Sequence, residues 1–288
     1  MNDRSLTDCL LSPDSTAFQL LQGAATRARI AVFCGIPGTG KSLFVREQVK
    51  LALAAKRRVT LMQWDVARQA FELPEILQRY PEVEGATHAM IRRAAGIWSR
   101  QAIAQWNQRS AAPAEMLIVE APLVGGRWAE LARPTDDTTE PLLRSNDSRY
   151  FVPTPSVAVR KAIEAARHDE TAAHKHARDA ANAIPQLMDE LWRQVAATAA
   201  SLHLIDSARS AEYHPGHYYA VYKTVLKHRQ VAQIPVDEIV KIADSPHALG
   251  TTVPELSPAP EQVPALLAAA ESEGENHVRR QTELWYQT

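Results

Sequence analysis

The sequence predicts an α/β protein built on a doubly wound, mostly parallel five-stranded sheet. Three observations carry that expectation: five short β-rich apolar runs, helical patterns between successive runs, and near-continuous apolar character in runs such as 27–35 and 115–126. Runs of that kind suit parallel strands covered by helices on both faces.

Ser12-Pro13 is a helix-start signal, with proline at the first helical position, and a short helix is expected to about Gln22. RARIAVFCG (27–35) ends in glycine and reads as the first buried strand; SLFVREQVKLALAAK (42–56) follows as a helix. RRVTLMQWD (57–65) is the second strand, ending on Asp65. Segment 66–113 is mainly helical, and Met90, Ala94, Trp98, Ala102 and Trp106 recur every four residues as a packing stripe. EMLIVEAPLVGG (115–126) is the third strand. From 127 to about 155 the chain is rich in Arg, Pro, Thr and Asp, the composition of an exposed, mobile loop. Helical sequence resumes at 157–194, with Pro185 as a break. SLHLIDS (201–207) and QVAQIPVDE (230–238) read as strands four and five around a helix at 217–229. Residues 1–245 thus form one domain, with helical insertions at 66–113 and 127–194. The 246–288 extension has five prolines near its start, a linker composition, and then a short helix.

Length, composition and charge describe an ordinary globular chain: 288 residues, 45% apolar, 23% charged, net charge −1. That balance carries no bulk basic footprint for nucleic acid. Arginine outnumbers lysine about three to one, and Arg favours bidentate contacts with phosphate or carboxylate. The two cysteines, Cys9 and Cys34, form no CxxC pair, so neither a disulfide framework nor a cysteine metal site is indicated. His168, His174 and His176 do not share a helix face, which argues against a histidine metal site. The first fifteen residues lack the apolar core of a signal peptide. No stretch approaches the ~18 apolar residues of a membrane helix. A cytoplasmic location without membrane contact is expected; oligomeric state is not legible.

The most specific signal is Gly35-Ile36-Pro37-Gly38-Thr39-Gly40-Lys41-Ser42, a G-x-x-x-x-G-K-S segment between a strand and a helix. Glycines in such a loop let backbone N–H groups turn toward phosphate, and the helix N-terminus adds its positive end. The expected nucleotide contacts run from Gly35 through Leu43. Lys41 is expected to reach the β- and γ-phosphates, and the Ser42 hydroxyl to ligate Mg²⁺. Met116-Leu117-Ile118-Val119-Glu120 supplies the second expected Mg²⁺ contact, a strand ending in an acid. ATP with Mg²⁺ is the implied cofactor pair.

Together GIPGTGKS, Asp65, VEAP at 119–122 and the Arg-rich stretch resemble the nucleoside/nucleotide kinase-like group of P-loop proteins, over about residues 28–240. That resemblance implies a strand order of 2-3-1-4-5, an acceptor between strands two and three, and a lid bearing arginines. It places Asp65 against the acceptor hydroxyl as a base or orienting group. Arg68, on the same helix face, would hold an anionic acceptor. Six arginines follow strand three: Arg127, Arg133, Arg144, Arg149, Arg160 and Arg167. Arg160 and Arg167, seven residues apart, are the pair expected to stabilise the transferring phosphoryl group, with Arg149 next.

The implied activity is transfer of the ATP γ-phosphate to a hydroxyl or phosphate of an unidentified small molecule. A hydrolysing switch or motor is a second reading, although no N-K-x-D motif, no LSGGQ-like signature and no Asp-Glu at the strand tip is present. A polynucleotide 5′-kinase would need a local patch such as Arg92, Arg93 and Arg100. A degenerate, binding-only kinase fits less well with Lys41, Ser42, Asp65 and Glu120 all intact.

Overall fold

The computed structural model describes residues 9–83, 85–110, 114–169, 185–207, 212–240 and 249–288. Six parallel strands form one sheet: β1 (Ile30–Cys34), β2 (Arg58–Gln63), β3 (Glu115–Ala121), β4 (Ser148–Pro155), β5 (Val231–Val236) and β6 (Glu255–Leu256). Their spatial order is β5-β4-β1-β3-β2-β6. The helices are α1 (Thr16–Arg27), α2 (Lys41–Ala54), α3 (Trp64–Ala67), α4 (Pro74–Arg79), α5 (Ala89–Arg109), α6 (Glu140–Arg144), α7 (Val157–Asp169), α8 (Pro185–Ser201), α9 (Pro215–Val225), α10 (Val263–Ser272) and α11 (Glu275–Glu283).

Period-two alternation explains how one strand serves two cores. Ile30, Val32 and Cys34 of β1 face a cluster with Trp98 of α5, Val195 of α8, Tyr222 of α9 and Leu266 of α10. Ala31 and Phe33 face the opposite cluster, with Phe18 and Leu21 of α1 and Phe44 and Val49 of α2. The stripe Met90, Ala94, Trp98, Ala102 and Trp106 is buried on α5, and Trp98 lies 6.0 Å from the ring of Trp128.

Several expectations are corrected. The sheet has six strands, not five. The fourth strand is Ser148–Pro155, inside the segment expected to be an exposed loop; residues 127–132 of that segment are buried throughout. Prolines 153 and 155 are tolerated in an interior strand because β1 pairs β4 only from Ser148 to Phe151, leaving the prolines beyond its end. Residues 201–207 are not a strand. His203 N–H bonds Ala200 O at 3.0 Å and Leu204 N–H bonds Ala199 O at 2.9 Å, with His203 at φ 56°. That is a Schellman cap ending α8, and its apolar flanks mimic strand alternation.

The first helix begins later and runs further than expected, because the Ser15 hydroxyl, not Ser12, accepts from the Phe18 N–H at 3.1 Å. Helix α8 is described from Pro185; the residues just before it, where the expected break would show, lie outside the described residues. The proline-rich tail contributes β6 and then packs α10 and α11 against α5, with Trp285 buried. No helix among the described residues is long and apolar enough to cross a membrane.

Candidate functional site

Parallel strands place all their carboxyl ends on one edge, where ligands of open α/β sheets bind. At that edge the chain leaves β1 through the Gly35–Ser42 segment and enters α2 at Lys41. Gly40 is the N-cap in the left-handed region (φ 89°); no side chain caps the helix and its first turn has no acid. The start of α2 therefore carries no acid of its own to offset its positive end.

The loop is held from both sides. Within it, Thr39 Oγ1–H donates to Ile36 O at 2.9 Å, and Lys41 Nζ donates to the same carbonyl at 3.1 Å. From α9, the Tyr218 hydroxyl accepts the Ile36 N–H at 3.3 Å. From α7, Arg160 Nη1 donates to Pro37 O at 3.0 Å, its Nε reaches Glu164, and its guanidinium lies 5.6 Å from the Tyr213 ring centre. Gly38 lies at φ 75°, a conformation that side chains rarely adopt, and a Cβ there would displace the end of the Met188 side chain, 2.4 Å away.

Glu120 is the next-to-last residue of β3, in register with Phe33 of β1 and Gln63 of β2. Its Oε1 lies 3.7 Å from Lys41 Nζ and 3.5 Å from the Ser42 hydroxyl. Burial pushes the Glu120 carboxyl above its ordinary range, the Lys41 ammonium opposes that, and the Asp65 charge adds to it. A buried carboxylate under that stress, beside a hydroxyl, is a donor set of hard oxygens suited to Mg²⁺, which takes few protein ligands and keeps its waters. Among the described residues no group of three or more His, Cys, Asp and Glu forms a denser metal site.

Asp65 does not end β2, which stops at Gln63. It sits in the one-turn α3, with a side chain 60% exposed and 3.5 Å from Arg68. Arg68 also pairs with Glu72, so the shared face expected for Asp65 and Arg68 is present. Leu43 lies half-buried in the first turn of α2.

The expected lid arginines separate. Arg160 is buried against the loop as described. Arg167 lies in α7, and its side chain falls outside the described residues. Arg133 anchors α11 through the carbonyl of Gln281. Arg127 is buried and feels the charges of Asp65 and Arg68, which puts it at the site although the sequence singled it out no more than its five neighbours. Of the patch that a nucleic-acid end would need, Arg93 is paired with Glu130 and Glu273, and Arg100 with Asp137 and Glu140.

Tyr218 and Met188 also belong to this region and were not foreseen; Arg92, expected only in a nucleic-acid patch, bonds Gly125 O instead. For Arg127 a signal existed, the Gly-Gly-Arg that follows the third strand; for Tyr218 and Met188 there was none. Comparisons with protein-family models, with curated proteins and with solved structures found no match to this chain.

Proposed function

We propose that the chain is a P-loop phosphotransferase of the kinase-like type, moving the γ-phosphate of Mg-ATP to a hydroxyl or phosphate of a small molecule. The observation that supports this most is the convergence of Lys41, Ser42 and Glu120 at an uncapped helix start. Amides at that helix start and Lys41 hold the triphosphate, and Lys41 exchanges its present contact with Ile36 O for phosphate oxygens. Ser42 and Glu120 would hold Mg²⁺, which when bound neutralises charge on the phosphates. Asp65 accepts or orients the acceptor proton; its exposure leaves it open to an incoming hydroxyl. Arg160 acts by fixing the loop through Pro37 O, and Glu164 in turn holds its guanidinium in place.

The hydrolysing alternative is less well supported because it assigns no role to Asp65 and Arg68 outside the phosphate loop. The test is ADP release from Mg-ATP by the purified protein, alone and with pools of nucleosides, nucleotides, sugars and phosphorylated sugars. Release that rises with one pool, and is lost in Lys41→Ala and Asp65→Asn, is the expected result. Steady release that no acceptor changes and Asp65→Asn does not alter would replace transfer by hydrolysis.

A further inference from the structure

After β3 the backbone makes a tight, buried turn. Leu123 (φ 63°), Gly125 (63°), Gly126 (78°) and Trp128 (62°) all lie in the left-handed region, which side chains such as Leu and Trp adopt at a cost of about 1 kcal/mol or more each. What this turn achieves is the placement of Arg127. Its Nη1 donates to Val124 O at 3.1 Å, inside its own loop, and Arg92 of α5 reaches in to donate from Nη1 to Gly125 O. The two guanidiniums converge on one point: a Cβ at Gly125 would lie 2.8 Å from Arg127 Nη1 and 3.1 Å from Arg92 Nη1, with Gln194 Oε1 of α8 also at 3.1 Å.

Neither arginine forms an ion pair with a carboxylate among the described residues, whereas Arg93, Arg100, Arg160 and Arg229 all do. Arg92 Nε is buried without a partner. Burial lowers both guanidiniums, Arg92 to about 9 with the Arg127 charge adding to the fall, and Arg127 to about 10 despite the Asp65 charge. The groups facing Arg127 are Asp65, Arg68 and the Tyr222 hydroxyl; Asp65 is already shared with Arg68. Two adjacent positive charges are thus held together away from water, within reach of the Asp65 charge. A single carboxylate would leave one of them uncompensated. A phosphate monoester, with about 1.5 to 2 negative charges at neutral pH and three acceptor oxygens, matches the pair.

We propose that Arg92 and Arg127 bind a phosphate monoester carried by the phosphoryl acceptor, so that the substrate is a phosphorylated small molecule. The proposal rests on the phosphotransferase reading above, and it narrows the acceptor from any hydroxyl compound to one bearing an anchoring phosphate beside the group that Asp65 addresses. Gly125 lies between the two guanidiniums at φ 63°, a conformation that side chains rarely adopt.

The experiment is calorimetric titration of inorganic phosphate into the full chain saturated with Mg²⁺ and a non-hydrolysable ATP analogue, so that the phosphate loop is already filled. Acetate at equal ionic strength serves as the singly charged control. Phosphate is expected to bind and acetate not, with phosphate affinity about tenfold or more weaker in Arg127→Gln and in Arg92→Gln. Affinity for the ATP analogue is expected to be unchanged in both. Arg92 is half-buried, so Arg92→Gln remains informative if Arg127→Gln fails to fold. Phosphate affinity unaltered in the folded variants, or no phosphate binding by the analogue-loaded wild type, would overturn the proposal. Failure of the ATP analogue itself to bind would instead overturn the nucleotide reading on which it rests.

Discussion

Arg100 and Arg229 share Asp137 and Glu140, whereas Arg92 and Arg127 share only backbone carbonyls. In the first cluster Arg100 forks onto Asp137 at 2.6 and 2.7 Å and reaches Glu140 at 3.0 Å. Arg229 reaches both oxygens of Glu140, at 2.7 and 3.0 Å, and donates to Leu131 O and Arg133 O. Two cations meet two anions, and the guanidinium donors also satisfy carbonyls of the turn after β3. Burial alone would lower Arg100, but its bonds to Asp137 and Glu140 raise it. In the second cluster no described carboxylate bonds either guanidinium, and the Asp65 charge offsets the burial of Arg127 only in part. The same residue type therefore joins carboxylates in one place and backbone carbonyls in the other, and charge balance tells them apart.

The largest effect that would sharpen this contrast is on stability. Glu140→Ala strips a carboxylate from two buried arginines and is expected to cost about 3–5 kcal/mol in denaturant unfolding. Bonds from Arg100 hold Asp137 below its ordinary range, and bonds from Arg229 and Arg100 outweigh burial to hold Glu140 below its own. Lowered folded-state values mean that their stabilisation is present at neutral pH and is lost as pH falls below about 4. Wild type should lose this contribution through that acid range while Glu140→Ala, already lacking most of it, changes less.

Arg127→Met sits next. Removing an uncompensated buried charge is expected to leave stability within about 1 kcal/mol of wild type or to raise it, as followed by thermal unfolding. A loss as large as that of Glu140→Ala would erase the distinction between the clusters. At the loop itself, Tyr218→Phe removes the hydroxyl that accepts from Ile36 N–H and is expected to cost about 0.5 to 1 kcal/mol. Hydrogen exchange at Ile36 should quicken with it.

What the sequence made legible follows the range of the interactions. Gly35–Ser42 and the apolar run before Glu120 are local patterns, and both lie at the carboxyl edge of the sheet, where open α/β sheets bind ligands. The α5 stripe was readable because packing of one helix face has a fixed period. Strand β4 was not, because Pro153 and Pro155 argue against a strand until the short reach of β1 is known. The alternation at Leu202, Leu204 and Ile205 misled for the opposite reason: a left-handed His203 cap has no marker when glycine is absent. Arg92 and Arg127 are thirty-five positions apart, and only the turn at Gly125 brings them together.

The most direct test of the central claim is calorimetric titration of Mg-ATP into wild type and into Lys41→Ala. One site per chain is expected in wild type, with binding weakened at least tenfold when Lys41 is removed and reduced likewise when Mg²⁺ is withheld. Absence of binding in wild type, or binding that neither Lys41→Ala nor magnesium removal changes, would contradict it.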